Sequence, residues 1–305
     1  MKLACIVLVH RGPEQVALLL STLRHLQVAV YLHVDLRARL APFTRALWEA
    51  GVGEVALLPQ RAIRWGGAEM VDATLDGLAR AVADGCDYFV LISGQDFPLR
   101  PVAEMVAFFE VEATRSYMHH FNLPTPSPHW RLGGRDRTDF YTYSLLGRRA
   151  TCIPRGEDIG FLSWKGRVLN ELLRIRSAFK PTRRFPPYLR PFGGLQWWNL
   201  SRDAADYVLR FVDEHPDYRR YHAHTLCPDE LFFQSILAGT DFAGRHEIVN
   251  DPLRFMVWPE GGKHPRALRA DDLPAMMQSG KLFARKVDLA ADPTVLAHLA
   301  EGVTA

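Results

Sequence analysis

Strand-like and helix-like segments alternate along the first 110 residues of this chain, and this alternation limits the possible folds more than any other feature. Residues 2–9 form an apolar run typical of a strand that is buried on both faces. Residues 14–26 then place apolar side chains at helical spacing. The same patterns predict further strands over 28–34, 54–58 and 87–93, and helices over 40–49 and 68–83. Repeated strand–helix–strand order predicts an α/β fold, a mostly parallel sheet flanked by helices.

Polar side chains follow three of these predicted strands. His10 follows the first strand, Asp35 follows the second, and Asp96 follows the fourth, close to Ser93 and Gln95. Ligands of open parallel sheets bind at the carboxyl ends of the strands, so we expect a nucleotide-type ligand at this edge. The chain has neither a G-x-G-x-x-G after its first strand nor a G-x-x-x-x-G-K-[ST]. A dinucleotide-binding fold and a P-loop nucleotidase are therefore disfavoured.

Composition excludes several other classes of protein. With 48% apolar and 23% charged residues among 305, the chain is neither disordered nor fibrous. Its 4 cysteines form no C-x-x-C pair, which argues against a structural zinc site and a disulfide scaffold and suits a reducing compartment. The apolar run at 3–9 is far shorter than the roughly 20 residues of a membrane helix. We expect a cytoplasmic protein.

Residues 111–190 lose the periodic pattern, apart from a helical stretch around 166–179. Residues 131–190 contain 14 Lys/Arg and 5 Asp/Glu, a net +9, whereas the rest of the chain carries −6. This stretch is either a solvated surface or a face for anionic partners, such as a sugar nucleotide or the headgroups of an inner membrane leaflet. Nucleic acid is disfavoured because no recognised binding motif accompanies the charge. For the membrane alternative, we expect peripheral contact through Arg148, Arg149, Arg183 and Arg184.

Order returns in the last third, with a predicted strand at 196–200 and helices at 204–214 and 228–238. Asp229 and Glu230 lie at the start of the last helix, where acids stabilise the helix dipole, and one of them could instead be a general base. Adjacent side chains of a strand point to opposite faces, so of Trp197 and Trp198 one can be core while the other lines a cleft.

Cations near the C-terminus could bind a diphosphate. Arg266 and Lys286 are either solvated or arranged around such a group, which needs fixed positive charge or a metal. The sequence offers no Asp-x-Asp at a strand end, since Asp35 and Asp96 are isolated. We therefore expect no metal ligands and no cofactor, with cations taking the place of the metal.

Five segments occur in the order seen in one known family. They are residues 63–71 (IRWGGAEMV), 88–99 (YFVLISGQDFPL), 196–202 (QWWNLSR), 228–233 (PDELFF) and 282–286 (LFARK). The chain thus resembles the core-2/I-branching family of β-1,6-N-acetylglucosaminyltransferases, which also includes the peptide O-xylosyltransferases. The resemblance spans roughly residues 1–110 and 191–288, and its most specific part is the string over 93–99.

The resemblance implies a GT-A-like, Rossmann-related enzyme that inverts, needs no metal and uses a UDP-sugar. It implies one glycosyltransferase domain over 1–305, with a nucleotide-sugar half (1–110), a basic irregular insertion (111–190) and an acceptor and catalytic half (191–305). Carried over by motif, the catalytic base is Glu230, Lys286 and Arg266 hold the donor diphosphate, Asp35 contacts the uridine, and Trp258 lies in the acceptor segment. The strand-end pattern adds His10 and Asp96 to the expected donor contacts, and the tandem tryptophans add Trp197 and Trp198 to the expected acceptor contacts.

The expected reaction moves a sugar, N-acetylglucosamine in the first place, from a UDP-sugar to a hydroxyl of a glycan acceptor with a β-linkage. A UDP-xylose-dependent O-xylosyltransferase and a non-catalytic sugar-nucleotide or glycan-binding protein stay open as alternatives. A glycoside hydrolase is disfavoured, because the side chains of Asp229 and Glu230 diverge by about 100° on a helix and cannot flank one bond.

Overall fold

The structure is a computed structural model that describes residues 1–127, 130, 132–145, 148–262 and 264–304. The elements of the first half are β1 (Leu3–Val9), α1 (Pro13–Thr22), β2 (Val28–Val34), α2 (Leu40–Glu49), β3 (Ala56–Leu57), α3 (Glu69–Ala83), β4 (Tyr88–Ser93), β5 (Asp96–Pro98), α4 (Val102–Val111), β6 (Ser116–Asn122), α5 (Arg135–Thr138), β7 (Thr142–Leu145) and β8 (Arg148–Thr151). The second half contains α6 (Trp164–Ser177), β9 (Phe192–Ser201), α7 (Arg202–Glu214), α8 (Pro216–His222), α9 (Phe232–Ala238), β10 (Ile248–Val249), β11 (Arg254–Met256), α10 (Leu273–Gln278), β12 (Phe283–Arg285) and α11 (Pro293–Thr304).

Within the described residues, the central sheet has seven strands in the order β10-β6-β9-β4-β1-β2-β3. The strands β4, β1, β2 and β3 are parallel to one another, and β9 is antiparallel to both of its neighbours, β4 and β6. The predicted α/β class, with a mostly parallel sheet between helices, is confirmed. Because β4, β1 and β2 run in the same direction, their carboxyl ends lie at one edge of the sheet.

The hydrophobic core forms two layers because the β1 side chains alternate between the faces of the sheet. Leu3, Cys5, Val7 and Val9 pack in one buried cluster with α1, and Ala4, Ile6 and Leu8 pack in another with α3. On the α3 side, a Cβ at Gly77 would lie 2.6 Å from the Ile6 Cγ2 atom. Glycine is therefore required at this position for the close approach of α3 to β1.

A smaller sheet joins β5 to the C-terminal part of the chain. β12 is antiparallel to β5 and parallel to β11. The register places Arg285 opposite Asp96, and Arg254 begins the adjacent strand β11. This sheet brings together residues that are up to 189 positions apart in the sequence.

Two predicted boundaries are wrong. The irregular segment does not begin at residue 111, because β6 (Ser116–Asn122) is a strand of the central sheet. The helix predicted over 228–238 is broken at Leu231, whose backbone leaves the helical region with φ −130° and ψ −36°. A 3-10 turn, Pro228–Glu230, therefore precedes α9 and carries the two candidate acids.

Two arginines expected to contact a membrane are structural instead. Arg183 is buried and donates hydrogen bonds to the carbonyl oxygens of Arg137 at 2.7 Å and Phe140 at 2.9 Å, and to Thr225 Oγ1. Arg149 donates to the Thr225 carbonyl oxygen at 2.6 Å. The Arg148 side chain lies outside the described part of the chain, and Arg184 is exposed. The +9 stretch is therefore in part the internal framework of residues 130–225.

All four cysteines are free and buried. Among the described residues, no helix has the length and the apolar character needed to cross a bilayer.

Candidate active site

The polar residues that follow β1 and β2 meet at the predicted edge of the sheet. His10 is exposed there, while Asp35 is buried, and the Asp35 amide donates to the Val9 carbonyl oxygen at 2.9 Å. Partial desolvation of the His10 ring, followed by the positive charge of Arg11, lowers the pKa of His10. The imidazole is therefore neutral at neutral pH and adds a hydrogen-bonding group rather than a charge.

The Asp35 carboxylate is engaged by a neighbouring cation. It accepts hydrogen bonds from the Arg37 amide at 2.8 Å, from Nη2 at 3.0 Å and from Nε at 3.2 Å. A ligand at this edge meets an Asp35–Arg37 pair rather than an isolated carboxylate. Arg37 was not among the predicted site residues.

Asp96 is fully buried and is the centre of an ionic cluster. Its Oδ2 accepts from Ser93 Oγ at 2.7 Å and from Arg285 Nη1 at 2.8 Å, and its Oδ1 lies 3.5 Å from Arg254 Nε. Burial lowers the pKa of Arg254 to about 10, still well above neutral pH. Two guanidinium groups share one carboxylate, so the cluster keeps a net positive charge. Asp96 was expected to contact the donor; in the structure its side chain has no exposed surface and is enclosed by Arg254, Arg285 and Ser93.

The tandem tryptophans of β9 have different positions, and neither presents an open face. Trp197 is buried with the Arg285 guanidinium 4.0 Å above its ring. Trp198 is fully buried, and its ring centroid lies 5.4 Å from that of Phe233. Both were predicted to contact the acceptor; in the structure Trp198 is part of the core. Trp197 supports Arg285 instead of offering a stacking surface to a sugar.

Lys286 follows Arg285 directly and is half-buried. In the part of the chain that the structure describes, no carboxylate lies within ion-pair distance of its ammonium group. Burial, then Arg285 and Arg11, lower the pKa of Lys286 from its ordinary value of 10.5. Asp288 opposes this effect, but it is already bonded to Arg11 and Gln95. An anionic ligand at Lys286 would offset the repulsion between Lys286, Arg285 and Arg11.

The chain next to Lys286 is held in place by Gln15 and Gln95. The Val287 amide donates to the Gln95 carbonyl oxygen at 2.9 Å, and Gln15 Nε2 donates to the Val287 carbonyl oxygen at 3.0 Å. Asp288 accepts from Arg11 at 2.9 Å and from Gln95 Nε2 at 3.1 Å. These bonds fix the backbone that presents Lys286 at the sheet edge.

The Arg266 guanidinium is already paired. Its Nη1 and Nη2 atoms donate to the two Asp272 carboxylate oxygens at 2.7 and 2.6 Å. The backbone nearby does lie beside Lys286, since the Leu268 amide donates to the Lys286 carbonyl oxygen at 2.8 Å. The structure therefore brings the Arg266 segment to the site but commits its charge to Asp272. Trp258, in the preceding stretch, is 40% exposed.

Glu230 is half-buried and forms an ion pair with Arg137, which belongs to α5 in the irregular segment. The Arg137 guanidinium lies 3.6 Å above the ring of Trp130. The contact is made by one carboxylate oxygen, Oε2. The aromatic ring and the ion pair together fix the direction of the Glu230 side chain, and no hydrogen bond from the described residues reaches its second oxygen, Oε1.

Asp229, beside Glu230, has an altered titration. Burial, and next the negative charge of Glu230, raise the pKa of Asp229 to about 7. Burial also raises the pKa of Asp136, on α5 beside Arg137. Near neutral pH Asp229 is therefore partly protonated, unlike an ordinary aspartate.

The loop before α3 connects the two halves of the site. The Cys227 amide donates to the Gly66 carbonyl oxygen at 3.0 Å, three residues before Glu230. Trp65, which is largely exposed, lies edge-on to His264 at 5.8 Å, two residues before Arg266. One loop thus contacts the segment of the candidate base and the segment that borders Lys286.

The model of the Core-2/I-Branching enzyme family matches residues 3–279. The chain belongs to the Core-2/I-Branching enzyme family. Among curated proteins it is similar to xylosyltransferase 2 of Pan troglodytes, with 24% identity over 97% of this chain and 33% of that protein. It is also similar to xylosyltransferase 1 of Canis lupus familiaris, with 22% identity over 98% and 30%.

The chain spans about a third of the length of these curated relatives. Among solved structures, mannose-1-phosphate geranyltransferase from Thermus thermophilus is aligned over 82% of this chain and 74% of that one, with 13% identity and a TM-score of 0.33. A likeness this weak gives no information about the function of this family member.

Several residues of this Core-2/I-Branching enzyme site were not found from the sequence. Arg254, Arg285 and Arg137 meet their partners only through long-range contacts, and Trp130 lies in a stretch without periodicity. Arg285 had the one usable signal, since it adjoins Lys286 inside a family motif. Nothing local in the sequence marks Arg137, which is 93 residues from Glu230.

We predict that Asp96→Asn lowers the free energy of unfolding by about 3–5 kcal/mol, because two buried guanidinium groups lose their counter-charge. Urea unfolding at pH 7 measures this. The matched control is Asp241→Asn, which removes an exposed ion pair with Arg245 and should cost less than about 1 kcal/mol. Equal losses in the two variants would contradict the central role of Asp96.

The raised pKa of Asp229 predicts a pH-dependent stability. The folded state favours the neutral form of Asp229. The contribution of this carboxyl to the free energy of unfolding is therefore complete below its unfolded pKa near 4, and it is lost as the pH rises through about 7. Asp229→Asn, which stays neutral, should match the wild type near pH 4 and be more stable than it at pH 8. Thermal unfolding across this range tests the sign. A variant that is less stable than the wild type at pH 8 would show that the Asp229 anion is the favoured form.

Proposed function

We propose that this chain is an inverting glycosyltransferase that moves a sugar from a UDP-sugar to a hydroxyl of a glycan acceptor without a metal ion. The observation that carries the proposal is that the site contains both a cation for the donor and a carboxylate for the acceptor. Lys286 lies beside the Asp96 cluster without an ion-pair partner among the described residues, and Glu230 is oriented by Arg137. Membership of the Core-2/I-Branching enzyme family supports it.

In this proposal the donor lies along the edge formed by β2, β1 and β4. The uridine lies near His10 and the Asp35–Arg37 pair, and the diphosphate lies at Lys286. The net positive charge of the Asp96 cluster adds to the attraction for the diphosphate. Fixed cations stabilise the charge that develops on the leaving group, a task that a metal ion performs in other transferases. Arg266 joins them only if Asp272 releases it.

Glu230 is the proposed general base. The acceptor oxygen attacks the anomeric carbon while the bond from that carbon to the diphosphate oxygen breaks, and the electron pair leaves with UDP. The hydroxyl proton moves to the free Glu230 oxygen. A single in-line displacement converts an α-linked donor into a β-glycoside. General base catalysis of this kind contributes about 10²–10⁴-fold to the rate.

The acceptor side is proposed to lie between Trp258 and the irregular segment. Trp258 offers an exposed aromatic surface. A cavity of about 400 Å³ is lined by Trp130, Leu132 and Phe161, among others, and Trp130 holds the arginine that contacts Glu230. Because the irregular segment contributes Arg137 to the base, it belongs to the acceptor side of the site in this proposal.

N-acetylglucosamine is the donor sugar that we propose first, and xylose is the second candidate. The observation that favours xylose is that the similar curated proteins are xylosyltransferases. Incubation with UDP-N-acetylglucosamine and UDP-xylose, with UDP release as the readout, separates the two. A protein that binds UDP but releases none from any UDP-sugar with a glycan acceptor would be a binding protein.

We predict that Glu230→Gln lowers transfer at least about 100-fold, because the amide cannot accept the hydroxyl proton. UDP affinity should stay unchanged, since the donor is held by other residues. Initial rates and UDP titration calorimetry measure the two effects, with the exposed Glu214→Gln as the matched control. A variant rate within threefold of wild type would remove Glu230 from the role of base.

We predict that transfer survives EDTA, because fixed cations take the place of a metal ion in this proposal. We also predict that Lys286→Ala weakens UDP binding by about 1.5–3 kcal/mol, the value of a charge-assisted hydrogen bond. Lys281→Ala is the control, since Lys281 also lies near β12 but pairs with Asp251 at 2.6 Å. Loss of activity in EDTA that Mn²⁺ restores would refute the metal-independent mechanism.

A further inference from the structure

Helix α6 presents apolar side chains to solvent. Trp164 is 71% exposed, Ile175 is 69% exposed, and Phe179, just beyond the helix, is 97% exposed. Val168 and Leu172 are also exposed. At about 100° per residue, the four side chains within α6 fall within roughly 80° of one another around the helix axis, and Phe179 follows them in the turn after the helix. They form one continuous apolar stripe, which we call the α6 stripe.

The α6 stripe is not the side by which the helix packs on the protein. The buried residues of α6 are Asn170 and Leu173. Leu173 packs with Tyr143 and Cys152 of the β7–β8 hairpin region, and Asn170 exchanges hydrogen bonds with the Ile153 backbone at 2.7 and 3.0 Å. A surface helix normally buries its apolar stripe. This helix buries two residues, is held further by hydrogen bonds of Arg174 and Ser177, and keeps a second apolar face outside.

Basic side chains border the α6 stripe. Residues 164–180 contain five Lys/Arg and one acid, Glu171. Lys165 and Arg176 are exposed along one border, and Lys180 is exposed just beyond the helix. At the other border Glu171 is exposed and pairs with Arg174, and the exposed Arg167 lies beyond it. Arg174 is turned inward and donates to the Ile153 carbonyl oxygen at 2.8 Å. The exposed cations around the stripe outnumber the one exposed acid, so the net charge beside it is positive.

We propose that the α6 stripe docks on an anionic lipid bilayer, with the helix lying in the plane of the headgroups. A helix with Trp, Leu, Ile and Phe on one face and Lys and Arg beside them is typical of helices that lie in a membrane interface. Its aromatic residues insert at the headgroup level, and its cations contact lipid phosphates. The basic side chains beside the stripe favour an anionic surface, because a neutral apolar partner would not need them.

This docking surface lies outside the donor and base residues, and it goes beyond the proposed transfer reaction. It also replaces the expectation that Arg149 and Arg183 contact lipid, since their side chains bind the protein itself. The same irregular segment carries α6 and the Arg137 that contacts Glu230. An acceptor attached to a membrane surface would thus be met by an enzyme held at that surface.

Vesicle flotation of the full chain tests the proposal. The probes are neutral phosphatidylcholine vesicles and vesicles with about 30% phosphatidylglycerol, at about 50 and 300 mM salt. We expect at least tenfold stronger binding to the anionic vesicles at low salt, and a decrease at high salt because exposed charges are screened. Equal binding to both lipids, or no binding at low salt, would overturn the proposal.

Two sets of variants locate the surface. Leu172→Ser/Ile175→Ser/Phe179→Ser should lower vesicle binding at least tenfold, and Lys165→Glu/Arg176→Glu/Lys180→Glu should abolish the preference for anionic lipid. The matched controls are Trp48→Ser, an 82% exposed apolar residue on α2, and Arg45→Glu on the same helix. Both controls should bind as the wild type does. Unchanged binding in the α6 variants would overturn the assignment.

The melting temperature and the affinity for UDP show whether each variant is folded. UDP affinity is a suitable check because the α6 stripe lies outside the proposed donor site. A failure of the transfer mechanism would alter UDP release but not flotation, so the two proposals fail separately. Size-exclusion chromatography tests the alternative that a second copy of this chain docks on the α6 stripe. A wild-type dimer that the serine variant converts to a monomer would show that a second copy, and not lipid, covers the stripe.

Discussion

The buried carboxylate of Asp96 connects three strands that are distant in the sequence. It accepts hydrogen bonds from Ser93 at the end of β4, lies against Arg254 on β11, and pairs with Arg285 on β12. Removing three charges from water costs several kcal/mol per ion, and the cost is offset only because the charges lie together and are hydrogen-bonded. The excess positive charge remains next to Lys286. The interaction that closes the fold thus also supplies the electrostatic field of the proposed donor site.

The irregular segment is held together by guanidinium groups in place of a periodic apolar pattern. Loops leave carbonyl oxygens without helix or strand partners, and each arginine carries five N–H donors. Arg183 alone serves the backbone of Arg137, Phe140 and Tyr221. The basic composition of this stretch is therefore partly a way to fold it. The cations left at the surface, among them those beside α6, are available to an outside partner.

Local periodicity predicted the elements of the first half well, because each is a buried strand or an amphipathic helix. The bounds of β2 and α2 agree with the prediction to the residue. The turn at Glu230 was missed because Pro228 and two acids fit a helix start equally well, and the break at Leu231 depends on packing. The Asp96 and Arg137 contacts arise only when the chain closes. Family motifs selected Glu230 and Lys286, but they could not show that Asp272 already holds Arg266.

The acids around Glu230 suit a base that must take up a proton in a partly buried place. Glu230 pairs with Arg137 as an anion, while burial and the Glu230 charge keep Asp229 largely protonated at slightly acidic pH. In the proposed reaction Glu230 becomes neutral, which removes one of the two causes of the raised Asp229 pKa. Arg137 then favours ionisation of Asp229, since it still carries its charge. Loss of the Asp229 proton would restore one negative charge beside Arg137, so the group need not hold an unpaired buried cation after transfer.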